Sequence, residues 1–94
     1  MATITTAHLR ALVRKKQYVV SVHAAEELDD DNLNIFDLES IILTGKIVER
    51  QRDRKSGESK LVVAGKTVGG IKANVVVKRG ASGLLIVITV YASD

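Results

Sequence analysis

His23 and Glu26 stand three residues apart at the start of HAAEELDD, a segment whose alanines and glutamates favour a helix. On a helix, residues at i and i+3 share a face. A carboxylate beside an imidazole raises its pKa and orients it, an arrangement that suits general acid–base work on a ribose hydroxyl. RNA cleavage also needs a cation for the scissile phosphate and a second proton carrier. Lys72, Lys78, Arg79 and Tyr91 are of the right types. The pair suits a structural role as well. His23 can cap or pack at a strand–helix junction, and Glu26 can serve the positive end of the helix dipole.

Other chemistries have little support. There are no cysteines, so disulfides and thiolate metal sites are excluded. His8 and His23 have no spaced partners to make a metal site. The acid run DDDNLN lacks the glycine and terminal glutamate of a calcium loop. No serine has a strand–turn–helix context, and no G-x-x-x-x-G-K cradles a phosphate. No metal and no cofactor is expected.

The net charge of +3 hides a segregation. Residues 1–22 carry four basic and no acidic side chains, and residues 23–45 carry seven acidic and no basic ones. Residues 46–94 carry ten basic and four acidic ones. A positive region of this kind attracts phosphates. It also suits an ordinary solvated surface.

The elements that must position these residues follow from local pattern. Leu9, Leu12 and Val13 give residues 5–16 one apolar stripe, the mark of a helix. YVVSV (18–22) reads as a short strand and HAAEELDD as a helix. NIFDLESIILTG is a third helix, with Asn34 and Asp37 placed for a capping box. Gly45 fits a left-handed position past its end. Four runs of strand length follow: 46–52, 60–67, 71–79 and 84–91. Their links, DRKSGES, VGG and GASG, all contain glycine, which points to hairpins. The last run is apolar on both faces and belongs in the interior of the sheet.

Strand alternation then sorts side chains between two faces. The apolar faces pack on the helices. The opposite face would bear Arg50, Arg52, Lys60, Lys66, Lys72 and Lys78, with Thr89 and Tyr91 near its end. Cations around an aromatic ring suit RNA, with charge for phosphates and a ring for a base. Lysines on a sheet also keep edges from aggregating, so a plain solvent face has the same signature.

HAAEEL, NIFDLESIILTGKIVE and IVITVY, in that order and spacing, resemble the domain of unknown function 4258 family of small bacterial proteins. The family signature runs roughly HAxERM, then a helix ending before a glycine and a strand, then a last strand ending T-x-Y. The likeness spans Tyr18 to Tyr91. The family is grouped with the RelE/ParE-like toxins, which set a helical pair against a small antiparallel sheet. Some relatives cleave messenger RNA on the ribosome and others poison gyrase. The resemblance places His23, Ala24 and Glu26 on the family's His, Ala and Glu, and Thr89 and Tyr91 on its end motif. Glu27 stands where the family has arginine, Leu28 where it has methionine, and a second arginine position falls within Asp29 to Asp31. Acids in place of those arginines make that edge repel RNA.

The expected fold is one α+β domain, residues 1–94, with N-terminal helices on a four-stranded antiparallel sheet of RelE/ParE type. The expected function is RNA binding or RNA cleavage with His23, Glu26 and Tyr91 at the chemistry and an antitoxin-like protein as partner. The alternative is a non-enzymatic protein-interaction module. The N-terminus lacks the pattern of a secretory signal, and no apolar run approaches the roughly 20 residues that cross a bilayer, so a cytoplasmic location is expected.

Overall fold

A computed structural model describes residues 4–52, 58–80 and 82–92. Most of the link DRKSGES lies outside them, at residues 53–57, as does Ala81 of GASG. Helix α1 (Thr6–Arg14) starts at Thr5, whose hydroxyl accepts the His8 backbone N–H at 3.2 Å. It ends on Lys16, a left-handed residue at φ 59. The Lys16 and Gln17 N–H groups return to the carbonyls of Val13 and Leu12, a Schellman closure. Helix α2 (Val22–Asp30) closes the same way on Asn32, φ 56. Helix α3 (Ile35–Thr44) has the capping box expected of Asn34 and Asp37.

The sheet has five strands in the order β1-β5-β4-β3-β2. Strands β2 (Lys46–Arg52), β3 (Ser59–Lys66), β4 (Lys72–Arg79) and β5 (Leu85–Ala92) are antiparallel. Strand β1 (Tyr18–Val20) pairs parallel with β5, Val19 opposite Ile86. This corrects the expected four-stranded antiparallel sheet to a five-stranded mixed one. The reason is that β5 carries backbone N–H and C=O groups on both edges; β4 pairs with one edge and YVV pairs with the other. As expected, β5 is interior.

All three helices lie on one side of the sheet. Leu9, Leu38, Ile41 and Ile42 pack with Val63, Val75, Val77 and Val87, each at most 1% exposed. Burying each such side chain stabilises by about 1.5–3 kcal/mol. The contact between α3 and β3 is close enough to require glycine. A Cβ on Gly65 would lie 2.0 Å from the Ile41 carbonyl oxygen, and one on Gly45 would lie 2.5 Å from it. Gly45 is extended at φ −89 and ψ 172, not left-handed as expected. It is glycine for want of space.

The helices also satisfy strand edges where a neighbouring strand stops. The Thr44 hydroxyl accepts the Lys66 N–H at 3.0 Å, and the Ser40 hydroxyl donates to the Lys66 carbonyl at 2.8 Å. On the other side, Ser21 donates its hydroxyl to the Ile88 carbonyl at 3.0 Å. Glu27 accepts the Val90 N–H at 2.9 Å. Backbone groups left unpaired at those edges would be costly.

Glu39 ties α1, β1 and α3 together. Lys16 Nζ donates to its carboxylate at 2.6 Å and the Tyr18 hydroxyl at 2.5 Å. The Lys16 ammonium, then the Tyr18 hydroxyl, hold the Glu39 carboxyl below its ordinary pKa of 4.5. Burial, then Glu39, push the Tyr18 phenol above its ordinary 10.0. A lowered carboxyl contributes stability above its unfolded pKa and loses it as pH falls; a raised phenol contributes below its unfolded pKa and loses it as pH rises. The unfolding midpoint is therefore expected to fall below about pH 4.5 and again above about pH 10. Glu39→Gln should lower the midpoint at pH 7 and narrow the gap between pH 7 and pH 3. An unchanged gap in thermal scans would show that this cluster adds nothing.

Candidate functional site

The face of the sheet away from the helices is built in rows by the strand register. Lys46, Ala64, Asn74 and Tyr91 lie opposite one another across β2, β3, β4 and β5. Lys66 stands opposite Lys72, and Lys60 opposite Lys78. The central row is Glu49, Val62, Val76 and Thr89. Lys60, Lys66, Lys72 and Lys78 thus share one face, with Thr89 and Tyr91 on it.

Two bulges decide what else joins them. Val48 is an extra residue between Ile47 and Glu49 of β2. It reverses the alternation, so Arg50 pairs with the core residue Leu61 and Arg52 with Ser59. Both arginines fall on the helix side, where Arg50 Nη2 donates to the Ile4 carbonyl at 3.0 Å. Their expected place among the lysines is therefore corrected. A bulged strand carries two residues against one, and that count depends on its partner. A second bulge at Ile88 of β5 lets Leu85, Val87 and Val90 all face the core while Thr89 and Tyr91 face away.

Lys46 and Asn74 belong to the face and were missed as site residues. With Thr44, Val48, Lys66 and Lys72 they line an open groove of about 500 Å³, floored by Ala64. Charge is unevenly compensated along the face. Lys78 pairs with Glu58 at 3.1 Å. Among the described residues Lys46, Lys66 and Lys72 make no ion pair. The groove end is the more positive.

His23 lies at the sheet's other margin, at the start of α2. Its Nε2 is 3.4 Å from Glu27 Oε1, one turn on, and its side chain is 67% exposed. The expected partner, Glu26, is exposed and makes no ion pair with His23. The helix gives i+4 rather than i+3 because Glu27 is turned toward β5, where it holds the Val90 N–H. Tyr91 is the next residue along β5 and is 41% exposed. Glu27 thus links His23 to the β5 backbone at Val90, a core-facing residue, while the Tyr91 side chain is on the opposite face of the sheet. Glu27→Ala should destabilise by about 1–2 kcal/mol, since the Val90 N–H loses its acceptor, while Glu27→Gln keeps an oxygen there. His23→Ala, at an exposed site, should change stability by less than about 0.5 kcal/mol. Urea titrations of the three variants check both. A large loss at His23 would mean that its contacts extend beyond Glu27.

Helices stacked on one side of a mixed sheet, with a lysine-rich face open on the other, define a small α+β domain with an exposed basic platform. The chain belongs to the family described as Domain of unknown function (DUF4258), whose model matches residues 20–92. That span runs from the end of β1 through β5 and includes His23, Glu27, the lysines and Tyr91. Comparison with curated proteins and with solved structures found no match. No helix among the described residues is long and apolar enough to cross a membrane.

Proposed function

We propose that this chain is a RelE/ParE-toxin-like domain that binds single-stranded RNA on its open sheet face and does not itself cleave it. One observation carries the reading: Lys66 lies directly opposite Lys72 and Lys60 opposite Lys78. Like charges directly opposed across strands are destabilising, and a carboxylate on either strand would relieve them. A face built for stability alone has no reason to keep both pairs. A face that grips phosphates does. The proposed absence of cleavage rests on His23, whose only carboxylate neighbour by ion pairing among the described residues is Glu27, a residue held by the β5 backbone. General acid–base chemistry also needs a positioned phosphate, and the same helix ends in the acidic residues 29–31, about two turns beyond His23.

Fluorescence anisotropy of a labelled single-stranded RNA tests it. Each lysine that neutralises a phosphate contributes about −0.7 to the slope of log affinity against log salt. Lys46, Lys60, Lys66, Lys72 and Lys78 together give a slope of about −3.5. No binding at low salt, with retention of an acidic antitoxin-like protein on the same lysines, would favour the interaction module instead.

A further inference from the structure

The groove over Ala64 differs from the rest of the face in shape and in chemistry. Ala64 is the smallest side chain on the face, set between Lys46 and Asn74 in one row. The floor drops there, and the resulting volume of about 500 Å³ is that of a small-ligand site. Three lysines, Lys46, Lys66 and Lys72, line it without carboxylate partners among the described residues. The Asn74 amide offers both donors and an acceptor. Tyr91, directly opposite Asn74, continues the row with an exposed ring. Strands lie ~4.8 Å apart, so Lys46 and Tyr91, three strands apart, are roughly 14 Å from each other at the backbone. Their side chains shorten that span. A phosphate at the ammonium end and a base at the ring, with a sugar between, is the chemistry this sequence of groups matches.

We infer that this groove is a one-nucleotide subsite, with Lys46, Lys66 and Lys72 on the phosphate, Asn74 at the sugar or base edge and Tyr91 stacked on the base. The inference deepens the RNA reading of the face, yet it stands or falls separately. The shared chemistry is a nucleotide phosphate, supplied by single-stranded RNA or by a free mononucleotide.

The test titrates the full chain with an eight-nucleotide single-stranded RNA, with adenosine 5′-monophosphate and with inorganic phosphate, read by NMR. RNA and mononucleotide should both shift the Ala64 methyl and the Tyr91 ring. Inorganic phosphate should shift the Ala64 methyl alone. Ala64→Leu fills the groove without removing charge. It should weaken mononucleotide and RNA binding about tenfold and leave the salt slope of RNA binding unchanged. Lys72→Ala should weaken the mononucleotide, whereas Lys15→Ala, an equal loss of charge at the end of α1, should not. Should Ala64→Leu not fold, the contrast between Lys72 and Lys15 decides the matter. RNA binding unaffected by Ala64→Leu, or equal effects at Lys72 and Lys15, overturns the subsite and leaves the RNA surface in place. Mononucleotide binding with these perturbations but no RNA binding keeps the subsite and removes the RNA reading. No shift with any of the three ligands removes both.

Discussion

Gly65→Ala is expected to destabilise the fold by about 3 kcal/mol, at the upper end of the range for overpacking. The added methyl would sit 2.0 Å from the Ile41 carbonyl oxygen and 2.9 Å from its carbonyl carbon. These are backbone atoms of α3, so no rotamer change relieves the clash. The helix must lift from β3, and Leu38, Ile41 and Ile42 must move with it. The Ser40 and Thr44 bonds to Lys66 would stretch as well. Gly69→Ala is the control, because its Cβ would meet only the Thr67 hydroxyl at 4.0 Å. Urea midpoints for both variants, at an unchanged m-value, give the comparison. Equal midpoints would show that α3 rides above the sheet with slack.

The second expectation pairs stability with binding at Lys66 and Lys72. Either Lys66→Glu or Lys72→Glu turns an opposed like-charge pair into an opposed ion pair, which should stabilise by about 0.5 kcal/mol. Each also changes the charge of the groove by two units. At about 1 kcal/mol per unit near water, RNA affinity should fall by about 2 kcal/mol, or roughly thirtyfold. The double variant restores like charges across the strands, so the gain in stability should vanish. RNA affinity should fall by about a thousandfold. Stability and affinity thus move in opposite directions in the single variants, then together in the double. Affinity that tracks stability through the series would mean that the lysines act only through the fold.

The cycle bears on why two lysine pairs face each other at all. Lys78 has Glu58 to relieve it, while Lys66 and Lys72 have no ion-pair partner among the described residues. The strain is therefore concentrated beside the groove. Glu49, in the central row of the same face, has its carboxylate hydrogen-bonded to Gln51, and the exposed acids Glu26, Asp29, Asp30 and Asp31 lie on α2 and its cap. Charge segregation along the chain becomes a basic platform and an acidic helix in the fold.

What the sequence determined by itself was local or evenly periodic. Asn34 and Asp37 announce the start of α3 because a capping box spans only four residues. Lys60, Lys66, Lys72 and Lys78 could be placed on one face because β3 and β4 pair without a bulge from Lys60 to Lys66. Their parity along each strand was enough. Tertiary structure decided the rest, wherever a residue answers to a distant partner. Val48 and Ile88 are extra residues only relative to the strands beside them; Val48 sent Arg50 and Arg52 to the helix side, and Ile88 turned Thr89 and Tyr91 away from the core. YVV, legible as a short strand, joined the sheet because β5, more than sixty residues on, had an edge to fill. Gly45 and Gly65 are explained by the backbone of α3 pressing on β3, a contact that turn chemistry cannot reveal. His23 meets Glu27 and not Glu26 for the same kind of reason. Spacing on a helix allows either, and the unpaired Val90 N–H of β5 selects the carboxylate turned toward the sheet.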